Sequence, residues 1–440
     1  MRVLKFGGTS LGTPERMKHI ANLVSRAEDH VCVVLSAVSG TTNKLQAICD
    51  ALAINNSDKA TVTVQKLYQE YLDYIDGLLD DHLLEEKARD IVDEHFNLLR
   101  VLINVPYVEP LSKVILAQGE MISTKLFDLY LDQQGVDHKL ISALEMVRID
   151  ENDEPDLSFI EKNAKALCDQ NTSVYVTQGY ICKNPKGEID NLKRGGSDYT
   201  ASLLGEALDA DEIQIWTDID GMHNNDPREV DRTFPISALN FDEAAELAYF
   251  GAKILHPQSI FPAQRKGIPV KILNTMEPEA SGTIVTADSD GSGIKAIAVK
   301  DGIHAIKIKS GRMLMAYGFL RKIFEVFEKY QTSIDVVTTS EVAVSLTIDN
   351  DESLDAILTE LKEFGNVTVD HDQSIVSVVG ALISDQKGIA RKVFDALEEI
   401  SVRMISFGGS KNNISIVIDT AQKSEALRAL NDNLFQDHWK

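Results

Sequence analysis

Lys5 runs into a glycine pair in Lys5-Phe-Gly-Gly-Thr-Ser10, and Arg194 runs into a second pair in Arg194-Gly-Gly-Ser-Asp-Tyr-Thr200. Both stretches have the composition of an oxyanion cradle. Gly7 and Gly8 let backbone N–H groups approach an anion without a Cβ in the way, and the neighbouring hydroxyls add donors. Lys5 brings a compact positive charge, and Arg194 a planar fork that grips a carboxylate at two points. The first stretch is not a Walker A loop, because its lysine precedes the glycines instead of following them. Singly, each has an ordinary reading: a tight turn beside a solvated lysine, and a helix start with Asp198 as N-cap. Two such loops in one chain make coincidence a poor account, and phosphate-handling chemistry the better one.

Other polar positions fall where an α/β sheet would present them. Glu120, beside Gly119, is either a dipole-favourable acid near a helix start or an acid facing a cleft. The hydroxyl-rich stretch 36–43 contains Ser36 and Thr42, residue types that more often cap helices than bind substrate. Thr217-Asp218 follows an apolar run and precedes Asp226-Pro-Arg228, an arrangement that fits a nucleotide or its Mg²⁺ at a strand's carboxyl end. Gly251-Ala-Lys253 and His256-Pro257 come next, and His256 reads as a turn residue.

The elements that must position these groups follow from the apolar spacing. Val3-Leu4 and Val31–Leu35 read as strands, the second covered on both faces. Between them Thr13-Pro-Glu15 starts a helix whose Met17, Ile20, Ala21 and Val24 share one face. Strand, helix and strand by residue 35 make a βαβ unit, which predicts an α/β fold with a mostly parallel sheet. The spacing further predicts strands at 136–141, 174–177, 212–216 and 268–273, a hairpin turn at 183–187, and a helix over 241–250. Helices are expected to open at Lys44 and at Gln118. Residues 58–105 read as helices with solvated acidic faces, His82 and His95 included. The Asp, Ser and Gly run at 288–293 reads as a linker.

Length and charge bound the partners. A chain of 440 residues carries two or three cores. Its net charge, 44 − 68 = −24, excludes an ordinary nucleic-acid or anionic-membrane partner. With no long apolar stretch or secretory pattern, a cytoplasmic location is expected. Cys32, Cys49, Cys168 and Cys182 lack paired spacing and read as reduced core thiols.

Beyond the linker the pattern repeats. Gly318-Phe-Leu-Arg-Lys-Ile-Phe324 recurs as Gly388-Ile-Ala-Arg-Lys-Val-Phe394, and Ser345-Leu-Thr-Ile-Asp349 as Ser415-Ile-Val-Ile-Asp419. Each unit reads as a ferredoxin-like βαββαβ module, and neither contains a catalytic constellation.

Lys5-Phe-Gly-Gly-Thr-Ser10, Gln118-Gly-Glu120, Arg194-Gly-Gly-Ser-Asp-Tyr-Thr200, Trp216-Thr-Asp218, Asp226-Pro-Arg228 and Gly251-Ala-Lys253 together resemble the aspartate kinase branch of the amino-acid kinase family. The tandem repeats resemble its ACT domains, and the chain resembles the monofunctional form. The resemblance implies a catalytic domain over 1–293, one ACT domain over 303–371, and a second over 294–302 plus 372–440. It implies ATP with Mg²⁺, L-aspartate as acceptor, and 4-phospho-L-aspartate as product, with no metal held by the protein alone. Lys5 would stabilise the transferring phosphoryl group and Asp198 would organise the reacting groups. Arg194 would hold the substrate α-carboxylate and Glu120 its ammonium, with Ser36, Thr42 and Ser197 completing the site. Gly7, Gly8, Thr217, Asp218, Arg228 and Lys253 would hold the nucleotide. His223 stands where relatives often have an aromatic residue.

An end-product amino acid, lysine ahead of threonine, would bind the first ACT repeat. Its contacts would be Met313, Gly318, Phe319, Leu320 and Ser333, with Ile334, Asp335, Ser340, Glu341 and Val342. The ACT domains would also build a homodimer or homotetramer. A kinase of the same fold for another carboxylate, and a catalytically silent amino-acid sensor, remain the competing readings.

Overall fold

The computed structural model describes the whole chain except residues 28, 170, 194, 252–255, 289–292, 314–316 and 439–440. It divides into two compact units, Met1–Met222 with Ile254–Asp288, and His223–Lys253 with Ser289–Lys440.

In the first unit six parallel strands lie in the order His138–Leu140, Val174–Gln178, Val31–Leu35, Arg2–Phe6, Glu212–Thr217, Val270–Asn274, and Thr283–Thr286 adds on antiparallel. Val31–Leu35 and Val174–Gln178 are buried along their whole length, as a sheet covered on both faces requires. Arg2–Phe6 is central, with Phe6 opposite both Leu35 and Trp216. The helix Pro14–Ser25 begins as its sequence dictates. The Thr13 side chain accepts the Arg16 N–H, Pro14 is at the first position, and Met17, Ile20, Ala21 and Val24 are buried.

Three expectations about helices are corrected. The helix after the second strand starts at Thr41, ahead of Lys44, because Gly40 takes the left-handed conformation and caps it. Gln118-Gly119-Glu120 opens nothing: it lies inside the helix Glu109–Gln133, whose start is set by Pro110. Gly119 is there for close packing, since a Cβ would fall 2.8 Å from the Ala37 Cβ and 3.2 Å from Thr41 Cγ2. His82 is solvated, but His95 is buried, because it joins the stripe Ala88, Val92, Phe96, Leu99 on the inward face of His82–Leu102. All four cysteines are buried free thiols.

The second unit holds one six-stranded antiparallel sheet, ordered Val337–Thr339, Ala343–Ile348, Gly293–Lys309, Asn366–Ala381, Asn413–Asp419, Val402–Phe407. The two long central strands pair along their length with register shifts around 300–305. On one side of that break Gly293–Lys309 gains Ala343–Ile348 on its other edge, and on the other side Asn366–Ala381 gains Asn413–Asp419. The helices Phe319–Lys329 and Leu354–Leu361 share one core with Ile306, Ile308, Val344, Leu346 and Ile348. Ile389–Ala396 and Lys423–Leu434 share another with Val376, Val378, Ile414 and Ile416. The expected linker at 288–293 lies mostly outside the described residues, and Gly293 already begins a strand. Among the described residues no helix is long and apolar enough to cross a membrane.

Candidate active site

Phe6, Leu35, Gln178 and Thr217 end four adjacent parallel strands, so Gly7, Ser36, Gly179 and Asp218 emerge at one edge of the sheet. Lys5 Nζ meets Asp198 Oδ1 at 2.7 Å, with both side chains largely enclosed. The contact is at ion-pair distance but off the line of a hydrogen bond, since that oxygen has no hydrogen-bond partner among the described residues. The ammonium lies over Gly7, where a Cβ would sit 3.3 Å from Nζ, and the Gly7 N–H donates to the Trp216 carbonyl at 3.3 Å. Gly8 brings its backbone against the next loop, where a Cβ would meet the Ala37 carbonyl oxygen at 3.0 Å.

The helix Gly196–Ala207 begins at this point. Its N-cap is Gly195, left-handed and without a side-chain cap, so the helix start presents its dipole uncapped. Asp198 is therefore not the cap. It stands in the first turn and faces Lys5. Ser197, in the same turn, accepts a hydrogen bond from the Ser36 hydroxyl at 2.8 Å. Gly179, to which the sequence reading assigned no role, makes that contact possible: a Cβ there would fall 2.3 Å from Ser197 Cβ and Oγ. Its signal was a glycine directly after a fully buried strand. Tyr180 follows in the left-handed region, φ 67°, and its N–H donates to Thr200 Oγ1 at 2.9 Å. That conformation costs energy in a non-glycine residue and is held here by the surrounding contacts.

Glu120 enters from the middle of its helix. It is 3% exposed, and Oε1 accepts the Ala37 N–H at 3.2 Å, while Oε2 has no hydrogen-bond partner among the described residues. Burial pushes its carboxyl up to about 7, against the stabilising Ala37 N–H. The Ser123 hydroxyl donates to the Ser36 carbonyl at 2.8 Å, joining this helix to the same loop. From the preceding helix, His82–Leu102, His95 meets Gln118 Oε1 through Nδ1 at 2.6 Å and the Lys125 ammonium through Nε2 at 3.0 Å. An ammonium only donates, so Nε2 is the acceptor and Nδ1 carries the proton. Burial holds the imidazole's pKa below its ordinary value, which keeps it neutral.

The remaining expected residues are distributed as follows. Thr42 is exposed, and its neighbour Thr41 is the buried one, 3.0 Å from the Tyr71 hydroxyl. Thr217 and Asp218 bond each other, Oγ1 to Oδ1, at 3.2 Å. Trp216 stacks on Phe6 with centroids 5.8 Å apart, fixing the strand end. His256 caps the helix Pro257–Lys266, its Nδ1 accepting the Gln258 N–H, as a turn residue should. Arg194 and Lys253 lie outside the described residues.

In the second unit, Arg228 is 76% exposed and pairs with Asp226 Oδ2 at 2.6 Å. That guanidinium holds the Asp226 carboxyl below its ordinary range. His223 Nδ1 lies 3.0 Å from Thr233 Oγ1. Of the expected effector residues, Met313, Phe319, Leu320 and Ile334 pack on the first repeat's core, and Gly318 caps its first helix in the left-handed conformation. Val342 accepts the Ser310 N–H at 2.9 Å, joining the 340–342 turn to the loop before Met313. The Ser340 N–H donates to the Ala343 carbonyl at 2.8 Å, and Ser333 and Glu341 are exposed. Asp335 is buried and engaged by Lys300.

The sequence model of the Amino acid kinase family matches residues 1–274, and that of an ACT domain matches 376–434. The chain is 32% identical to lysine-sensitive aspartokinase 3 of Escherichia coli, over 99% of each protein. It is 34% identical to chloroplastic aspartokinase 1 of Arabidopsis thaliana, over 99% of this chain and 80% of that one. Among solved structures, E. coli aspartokinase III in complex with aspartate and ADP matches with a TM-score of 0.88 at 31% identity, over 99% of this chain and 100% of that one. The same enzyme in complex with lysine and aspartate matches with a TM-score of 0.80 at 31% identity, over 99% of each chain.

Proposed function

The chain belongs to the amino acid kinase family and, within it, to the aspartokinases, kinases with a carboxyl group as acceptor, and on that premise we propose that it phosphorylates the β-carboxylate of L-aspartate with ATP. Its architecture is the amino acid kinase fold followed by ACT domains. The observation that carries the reading is the Lys5–Asp198 pair seated over Gly7 at an uncapped helix start.

A carboxylate nucleophile is already ionised at neutral pH, so the reaction needs charge neutralised and geometry fixed more than it needs a base. One bond forms between a β-carboxylate oxygen and the γ-phosphorus. The bond from that phosphorus to the β,γ-bridging oxygen breaks, and its electron pair leaves with ADP. No proton moves. Lys5 donates to the transferring phosphoryl oxygens, and the amides at Gly8 and at the start of Gly196–Ala207 cradle the phosphates, with Gly7, whose own N–H is held by Trp216, leaving room for their approach. Ser36 and Ser197 orient the substrate, with Thr42 at the rim. Glu120 receives the substrate ammonium and Arg194 its α-carboxylate. Thr217, Asp218, Arg228 and Lys253 hold the nucleotide. Mg²⁺ borne on the phosphates would neutralise their charge, and Asp198, with a buried carboxylate oxygen that has no hydrogen-bond partner among the described residues, is the acid that would reach it.

We divide the chain into a catalytic domain over 1–293 and ACT domains over 303–371 and over 294–302 plus 372–440. The change of pairing partner near residues 300–305 of the long strands supports that division. An end-product amino acid, lysine ahead of threonine, regulates the enzyme at the first ACT repeat. The lysine sensitivity named for the E. coli relative and the buried acid Asp335 support that order.

Hydroxylamine trapping of acyl phosphate with Mg-ATP and L-aspartate, with and without lysine or threonine, tests the reading. Hydroxamate that depends on aspartate and falls with lysine is expected. Folded protein that binds ATP yet forms none points to another acceptor. Protein with neither turnover nor ATP binding is a sensor.

A further inference from the structure

Asp335 lies in the loop before Val337–Thr339, with its side chain 1% exposed. Its Oδ1 takes Lys300 Nζ at 2.6 Å and the Tyr249 hydroxyl at 2.9 Å. Its Oδ2 is buried with no hydrogen-bond partner among the described residues. Lys300 stands between two acids, 2.8 Å from Asp349 Oδ2, and its ammonium is 4.8 Å from the centre of the Tyr249 ring. So Asp335, an acid among the expected effector contacts, already holds an internal ammonium, and that ammonium has a second partner to retreat to.

We propose that Lys300 holds the place of the effector's ammonium at Asp335, and that their exchange releases Tyr249. The inference rests on the regulatory reading above. The exchange conserves charge: an incoming ammonium takes the place of Lys300 on Asp335 Oδ1 and also donates to the open Oδ2, and Lys300 keeps Asp349. Neither cation nor acid is left buried and uncompensated, which would oppose binding. What changes is the shared Oδ1, the anchor of the Tyr249 hydroxyl.

Tyr249 ends the helix Phe241–Tyr249. Two residues later Gly251 has φ +122°, and a Cβ there would fall 1.8 Å from the carbonyl oxygen of Val299. The chain around Gly251, just before Lys253, is thus tied to this cluster twice, by Tyr249, whose hydroxyl bonds Asp335 and whose ring lies under the Lys300 ammonium, and by backbone contact with Val299. Displacing Lys300 reaches the nucleotide-contact segment through those two ties, and the effector's preference for one arrangement becomes inhibition.

The full-length protein tests this by calorimetry with lysine and with threonine, alongside the hydroxamate assay. Tyr249→Phe keeps the ring and loses the hydroxyl. Its affinity for the effector is expected to stay within about threefold of wild type, with basal kcat unchanged and the half-inhibiting concentration raised at least about tenfold. Lys300→Met removes the competitor and is expected to bind the effector about tenfold more tightly. Wild-type inhibition in Tyr249→Phe, or weaker effector binding in Lys300→Met, overturns the exchange. Wild-type protein that binds neither amino acid overturns the regulatory reading itself, and the exchange with it.

Discussion

Glu120 accepts the backbone N–H of Ala37 through one carboxylate oxygen at 3.2 Å and leaves the other buried without a hydrogen-bond partner among the described residues. A carboxylate half-satisfied in this way binds an ammonium well only when ionised, and burial sets its pKa at about 7. Below that pH the free enzyme offers a neutral acid. The KM for aspartate should therefore fall as pH rises from about 6 to 8, by up to about tenfold per unit on the acid side of the pKa. Glu120→Gln should flatten that profile and raise KM. The same shift has a sign for stability. A carboxyl whose folded pKa lies above its unfolded value opposes folding at pH above the folded pKa, and the penalty fades as pH falls towards the unfolded value. Glu120→Gln keeps an acceptor for Ala37 and removes the buried charge. It should stabilise the protein at about pH 8 by as much as about 3 kcal/mol, and by little at about pH 5. Thermal melts at the two pH values check this; equal shifts at both would count against it.

Gly179→Ala tests the closeness of the strand end to the catalytic helix. The new methyl group would need the space of Ser197 Cβ and Oγ, 2.3 Å away, and of Ser197 Cα at 2.7 Å. Ser197 must move, and the Ser36–Ser197 hydrogen bond moves with it. Displacement of a positioning group by about an ångström is enough to cost about a hundredfold in rate. We expect kcat/KM for aspartate to fall by that order, with a far-ultraviolet dichroism spectrum like that of wild type. Full activity would show that Ser197 does not position substrate.

What the sequence made legible followed from local rules. The βαβ start was readable from Val31–Leu35 and the Thr13-Pro14 cap, and the seventy-residue repeat exposed the second unit's plan. The Lys5 and Asp198 loops were visible as composition, but not as partners, because their meeting depends on non-local pairing of the Arg2–Phe6 strand with Glu212–Thr217. Gly119 misled: a glycine beside a polar pair reads as a helix boundary, whereas here it admits Ala37 and Thr41. His95 misled for a different reason: it lies on the apolar stripe of its own helix, and the polar partners that let a histidine be buried there, Gln118 and Lys125, belong to another helix. The engagement of Asp335 by Lys300 and Tyr249 joins three distant segments and had no sequence signature.

Lys5→Ala separates phosphoryl stabilisation from substrate binding. Lys5 faces Asp198 and Gly7, and among the described residues it makes no ion pair with Glu120. Aspartate affinity should therefore persist within a few-fold, while kcat drops by at least about a hundredfold, the order seen when one preorganised charge or donor is lost from a transition state. An unchanged kcat would refute the role given to this lysine, whatever happened to KM.

Asn431 ties the segment that contains Asp226-Pro-Arg228 to the C-terminal helix. It is fully buried in Lys423–Leu434, and its Oδ1 accepts from Asn224 Nδ2 at 2.9 Å while its Nδ2 donates to the Arg232 carbonyl at 2.9 Å. Asn224 in turn accepts the Phe234 N–H at 2.8 Å, so one side chain pins both ends of the turn that contains Asp226-Pro-Arg228. Asn431→Leu matches the volume but strands the Asn224 amide in the interior and removes the bond to the carbonyl of the exposed Arg232. The cost should be about 1–3 kcal/mol, that of one unsatisfied buried group. If the turn serves the nucleotide, the variant should also raise the KM for ATP several-fold with little change in the KM for aspartate. A loss confined to stability, with both KM values unmoved, would leave Asn431 as a structural tie and remove the support it lends to Arg228 as a nucleotide contact.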